Sequence, residues 1–385
     1  MLIKNARLIT HNTALEQGWL LWRDGIVTAM GRGNPPPADL ENTEIIDANG
    51  LIVAPGFIDI HTHGAAGHDT MDATPDALCK MAQFYAKHGT TAFLATTWTD
   101  SGQRIGNALK NAASCVGQQE HGATLLGVHL EGPYLNPAKC GAQNTDYIRR
   151  AERDEALKWL DFDVIRLLAL TPEYAENQWL IGECVKRGIT VSVAHTNATY
   201  EDMQNAVGLG IRHATHTFNA MTGLHHREPG VVGAVLSMPE IRCELIADTI
   251  HVHPAAMSIL YAAKGNEGTI IITDSIRGTG MPDGEYAIDD RKIEIENGAA
   301  RLEDGTLAGS TVTMDRAVYH FLQAIDKPFE KAWQTASLNA ARAIGVADHK
   351  GSLEVGKDAD LIIIDDDISI YLTVAEGRVV YREGI

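Results

Sequence analysis

Between residues 55 and 345 an apolar, strand-like run returns eight times, and most of the gaps between runs read as helix. The runs are GFIDIH, TTAFLATT, TLLGVHLEG, VIRLLALT, ITVSVAHT, IRHATHTFN, CELIADTIHV and TIIITDS; PDALCKMAQFYAKHG and ENQWLIGECVKRG are examples of the helical stretches between them. A rhythm of strand and helix implies parallel strands joined by helical crossovers. Eight units over this length match a (β/α)8 TIM-like barrel, which takes about 250 residues. An open doubly wound sheet is the structural rival. It uses fewer strands and often a glycine-rich first turn, and no GxGxxG follows the first run.

The two ends read differently. LIKNARLIT, GWLLWRDGIVTAMG and TEIIDANGLIVA at the head, and GSLEVGKDADLIIIDDD and ISIYLTVAEGRVVYREG at the tail, are short strands divided by turn formers such as Asn34-Pro35-Pro36-Pro37. Residues 1–54 and 346–385 are therefore expected to build one small β-sandwich domain, with the barrel over 55–345 inserted between its halves.

Charge narrows the class of partner. Against 32 Lys and Arg stand 50 Asp and Glu, a net charge of −18. That excludes a chain that coats nucleic acid or binds membranes through a polybasic surface, because both need positive charge. No apolar stretch of about 18 residues suggests a membrane span. Met1 leads straight into a strand-like segment, with no basic and apolar leader in view. The five cysteines form no CxxC and are odd in number, which favours a reducing cytoplasm over a disulfide framework.

In a barrel of this kind chemistry gathers at the C-terminal ends of the strands. Here those ends carry His61-Thr62-His63, His129-Leu130-Glu131, His195, His213 with His216 and Asn219, Asp248 with His251, and Asp274. Alternation along a strand puts His61 and His63 on one face, so that both imidazoles can meet one ion. Glu131, His195 and His216 arrive on the same rim. Nitrogen and carboxylate ligands without a thiolate suit Zn or Fe, with Mn a third option. Asp274 ends the last strand opposite this set. A carboxylate there can take a proton from a metal-bound water and pass it to a leaving amine.

The segments PGFIDIHTHG, HLEGPYLNPAKCGAQ, AHTNA, ATHTFNAMTGLHHREPGVVGA, IADTIHVHP, ITDSIRGTGMPDGEY and LAGSTVTM together resemble the N-acetylglucosamine-6-phosphate deacetylase family of the amidohydrolase superfamily. The resemblance covers essentially the whole chain; HLEGP, REPG and LAGS are its specific blocks, whereas HxH marks only the superfamily. It implies a metal-dependent hydrolase that removes the acetyl group from an amino-sugar 6-phosphate. Glu131, His195 and His216 would hold the principal ion, and His61 and His63 a second, bridged by Glu131. The fourth run carries no lysine, so the carbamylated-lysine bridge of many amidohydrolases is ruled out. Asp274 would be the general acid and base. Ala142, Gln143, Asn219, Ala220, Arg227, His251, Leu307, Ala308 and Gly309 would bind substrate, with Arg227 supplied to the phosphate by the partner subunit of a homodimer. Some family members have histidine at the position of Gln143, where it polarises the acyl oxygen. Glutamine donates a hydrogen bond but cannot become cationic, which leaves that task to the metal alone or to the metal with His251. His129 is expected behind the ligands, His225 and His226 on the surface, and Cys140 as a small loop residue. The rivals are the same chemistry on the galactosamine epimer, another amidohydrolase of the D-aminoacylase or dihydroorotase type, and a non-enzymatic sugar-phosphate sensor.

Overall fold

The structure, a computed structural model, describes residues 1–11, 13–37 and 43–385. All eight runs contain strands of one parallel sheet whose spatial order is their order in the chain: Phe57–Thr62, Thr90–Thr97, Thr124–Glu131, Ile165–Leu170, Thr190–Val193, His213–Ala214, Arg242–Ile246 and Thr269–Ile272. The ring closes just past the end of the eighth strand. There Thr62 bridges Ser275 in parallel, Asp274 N–H donates to His61 C=O at 2.9 Å, and His63 N–H donates to Ser275 C=O at 2.8 Å.

The helices form for local reasons. In Pro75–Lys87 the Thr74 hydroxyl accepts from Ala77 N–H, proline occupies the first turn, and Asp76 faces the positive end of the helix dipole. Its buried Leu78, Met81, Ala82 and Tyr85 recur at helical spacing, so one stripe packs on the barrel wall. Inside the ring, Ile58, Ile60, Ala92, Leu94, Leu167, Ile246, Ile270 and Ile272 form a separate core with Ala340, Ala341 and Ala343 of the helix Leu338–Ala343.

The head and the tail share one sheet of eight strands, joined where Ile52–Pro55 pairs antiparallel with Leu361–Ile364. Ile3, Leu8, Leu20, Trp22, Val53, Leu361, Ile363, Leu372 and Val374 form its core. Beside this sheet Lys350 is almost fully buried, with Nζ 2.8 Å from Asp358 and 2.9 Å from both Asp360 and Glu376. Burial would lower the pKa of its amine, but the surrounding carboxylates outweigh that and raise it.

A three-stranded antiparallel sheet, Gly284–Ile288, Arg291–Glu296 and Ala299–Leu302, follows the eighth strand and is additional to the expected barrel. Its signals are the alternation of KIEIE and the Asn297-Gly298 turn. Ile288, Ile293, Ile295 and Ala300 pack with Trp98, Ala142, Ile276 and Ala308. Arg291 also donates to the Ala142 carbonyl at 2.7 Å. This small sheet therefore sits on the loop that follows the third barrel strand.

Candidate active site

Strict alternation would send the wrong residues inward. Ile58 and Ile60 of the first strand already face the interior core, so Thr62 should follow them. The pairing with the second strand slips between Asp59 and Thr62, and such irregularities re-aim side chains. His61 and His63 are thereby both brought next to Glu131, and His63 lines the cavity at the barrel mouth.

Three further site residues lie just beyond strand ends on left-handed backbone: His195 at φ 43°, His216 at φ 30° and Asp274 at φ 51°. Left-handed turns also explain why the sixth strand is so short, since Phe218 and Ala220 follow His216 with φ of 82° and 52°. Such conformations cost about 1–3 kcal/mol each and persist where the surrounding structure enforces them. Gly309 approaches Asp274 so closely that a Cβ would stand 2.9 Å from its carbonyl oxygen, and its own φ is +59°. Only glycine adopts that position without strain.

Glu131 stands at the centre. Its Oε1 lies 3.1 Å from His216 Nε2 and 3.3 Å from His195 Nε2, and those two nitrogens are 3.1 Å apart. Its Oε2 faces the other pair, 3.1 Å from His63 Nε2 and 3.6 Å from His61 Nε2. Asp274 Oδ1 lies 3.3 Å from His63 Nε2 and 3.4 Å from His61 Nε2. Burial would push the Glu131 carboxyl up, but the His61 charge and the hydrogen bonds of His195 and His216 outweigh it and hold it well below the usual range. Asp274 is likewise lowered, burial being outweighed by His61 and His63.

A further layer orients these groups. His195 Nδ1 donates to Lys139 C=O at 2.8 Å, which fixes the ring with its Nε2 directed at Glu131. Gln143 accepts from Thr99 N–H at 2.8 Å and donates to Glu131 Oε2 at 2.7 Å. Its amide thus holds the central carboxylate, while the residue also lines the cavity. Trp98 stacks on His63 with ring centres 3.8 Å apart. His251 Nδ1 lies 2.6 Å from Asp248 Oδ2, so that Nε2 is the ring nitrogen free to act in the cavity. His129 is buried and its pKa is pushed down to about 3, by burial first and then by the His61 charge. It makes no hydrogen bond and packs edge-on against the His61 ring.

Of the residues expected to bind substrate, Ala142, Gln143, Asn219, Ala220, His251, Leu307 and Gly309 line this cavity. Ala308 does not. Its side chain is buried beneath the small sheet and its N–H donates to Ala300 C=O, so it shapes the wall from behind. Arg227 is exposed, bonded to the neighbouring His226 at 2.8 Å, and lines a separate hollow with His225 and Tyr200. Within one chain it does not enter the site. Sequence reasoning gave no role to Trp98, Arg291 or Glu244. A lone aromatic or charged residue carries no signal in the sequence of what it will touch.

The sequence profile of the Amidohydrolase family matches residues 52–380. The chain belongs to that family, whose members are hydrolases that use divalent metal. Its relatives narrow the group. It is 37% identical to the N-acetylglucosamine-6-phosphate deacetylase of Bacillus subtilis, over 99% of this chain and 97% of that protein. It is 35% identical to the N-acetylgalactosamine-6-phosphate deacetylase of Escherichia coli O157:H7, over 98% of each. Among solved structures, the N-acetylglucosamine-6-phosphate deacetylase of Thermotoga maritima superposes with a TM-score of 0.89 at 30% identity over the full length of both chains. A mutant of the Mycobacterium smegmatis enzyme in complex with N-acetyl-D-glucosamine-6-phosphate superposes with a TM-score of 0.91 at 30% identity over 99% of each. No helix among the described residues is long and apolar enough to cross a membrane.

Proposed function

We propose that the protein hydrolyses the acetyl amide of N-acetylglucosamine 6-phosphate, releasing glucosamine 6-phosphate and acetate. The observation that carries this reading is Glu131, shared through its two oxygens by two histidine pairs and facing Asp274 across one cavity.

The residues fit divalent ions. Ligand atoms about 2.0–2.1 Å from a tetrahedral ion stand about 3.3 Å apart, and the Glu131, His195 and His216 atoms are 3.1 to 3.3 Å apart. His61 Nε2 and both ring nitrogens of His63 are buried without a hydrogen-bond partner, which is costly unless something occupies the space between them. The first set would hold the principal ion and His61 with His63 a second, Glu131 bridging. Zn or Fe suits these ligands best, with Mn a third option.

A bound divalent ion supplies an acidified water and draws charge from the acyl oxygen. Asp274 takes a proton from the attacking water as the C–O bond forms, then returns it to the amine nitrogen as the C–N bond breaks. His251, braced by Asp248, presents Nε2 to the substrate. Asn219, Ala220, Leu307 and Gly309 enclose the sugar. The cytoplasm suits five free cysteines.

The phosphate needs a cation in a chain of net charge −18. Arg227 supplies it across a homodimer, since its planar fork matches phosphate. Arg227→Ala is expected to raise KM about 10- to 150-fold, the loss of one charge-assisted hydrogen bond of about 1.5–3 kcal/mol, with kcat little changed. Mixing inactive Asp274→Asn subunits with Arg227→Ala subunits should restore activity, because a hybrid dimer has one intact site. A mixture no faster than its components removes Arg227 from the partner's site.

Acetate release by purified protein tests the reaction itself. The E. coli relative gives a second reading, the galactosamine epimer. The ratio of kcat/KM for the two sugar phosphates decides between them, and metal analysis of the same sample identifies the ion.

A further inference from the structure

Glu244 stands at the base of the site, on the seventh barrel strand, and the reaction above does not use it. It is fully buried. A carboxylate in such a place is costly unless its lone pairs are met. Here Oε2 accepts from His61 Nδ1 at 3.0 Å and from the His216 backbone N–H at 3.2 Å, and Oε1 accepts from His213 Nε2 at 2.8 Å.

These contacts treat the two histidine sets unequally. At His216 only the backbone is held, and the ring Nδ1 has no partner. At His61 the ring itself is held. Donation from Nδ1 leaves Nε2 as the nitrogen that can offer a lone pair to an ion, and Nε2 is the atom facing Glu131 and Asp274. His129 fixes the plane of the same ring from the side, its centre 4.5 Å away at an interplanar angle of 88°. His63 has no carboxylate behind it; both its ring nitrogens lack partners and its face lies on Trp98.

We propose that Glu244 is a positioning residue that makes His61 and His63 an ion site. It fixes the tautomer and direction of the His61 ring and lends that imidazole negative charge. Binding at this pair depends on it far more than binding at Glu131, His195 and His216. The proposal rests on the reading of His61 and His63 as ligands of a second ion. A carboxylate behind a ligating histidine raises its basicity, and losing such a partner weakens ion binding about 10- to 100-fold.

The test is a Zn2+ titration of the metal-stripped full-length protein against a chromophoric chelator, without substrate. In E244Q the introduced amide can still accept from His61 and His216. It can donate to His213, whose Nδ1 is free to take the proton in the other tautomer. E244Q therefore keeps the shape and removes the charge. Wild type is expected to bind two ions. In E244Q the weaker of the two affinities falls more than tenfold while the tighter changes less than threefold. E244D withdraws the carboxylate by one methylene and carries the same expectation should E244Q lose its near-UV circular dichroism.

A weaker-site loss below tenfold, an equal loss at both sites, or a wild type that binds one ion overturns the proposal. No sugar phosphate enters this measurement. A two-ion pattern with no acetate release would therefore overturn the assigned reaction and leave the role of Glu244 standing.

Discussion

Asp274→Asn is expected to lower kcat about 10³-fold or more while leaving KM and metal content near wild type. The size follows from the double duty of this carboxylate, because one proton transfer assisted by a positioned side chain contributes about 10²- to 10⁴-fold. Asparagine is the informative replacement. It keeps the shape, cannot carry the proton, and tolerates the left-handed backbone at this position. The backbone is held independently of the side chain: Asp274 N–H donates to His61 C=O and Asp274 C=O accepts from Ser310 N–H at 2.7 Å. Steady-state kinetics and metal analysis on one preparation check it. A kcat within tenfold of wild type removes Asp274 from the proton path.

Lys350→Met is expected to destabilise the fold by about 3–5 kcal/mol, because removing one partner of a buried charge cluster leaves the others uncompensated. Three carboxylates, from Asp358, Asp360 and Glu376, would face one another without their shared cation. The folded-state pKa of the amine is raised. Its contribution is thus complete below the unfolded value of about 10.4 and lost only as pH rises through the higher folded one. The deficit of the variant should be flat between pH 7 and 9. Guanidinium unfolding at fixed metal concentration reads it, and a loss under about 1 kcal/mol would show that the cluster contributes little.

The barrel was legible because its signal is local and repeated. Each strand lies in an apolar run, and a helix such as Pro75–Lys87 carries its own cap and stripe. The polar residues at strand ends were legible for the same reason: His63, Glu131, His195, His216 and Asp274 line one cavity, and His61 stands beside Glu131. What escaped depends on distant approach. Gln143 reads as a substrate contact, and only the fold reveals that its amide ties Thr99 to Glu131. Glu244 reads as one charge in an apolar strand; its meaning lies in His61, 183 positions away. Arg227 reads as a phosphate ligand lent to the partner subunit, and in a single chain it lies outside the cavity that the other residues line.

The pairing of Ile52–Pro55 with Leu361–Ile364 has a consequence for synthesis on the ribosome. The first of these strands emerges long before its neighbour exists. At about 5–20 residues per second, the roughly 300 residues between them take about 15–60 s to make. For that interval Ile52–Pro55 presents an open strand edge, the kind of surface that invites pairing with other chains. The barrel segments are made while that edge is still open, and Leu361–Ile364 closes it once it emerges.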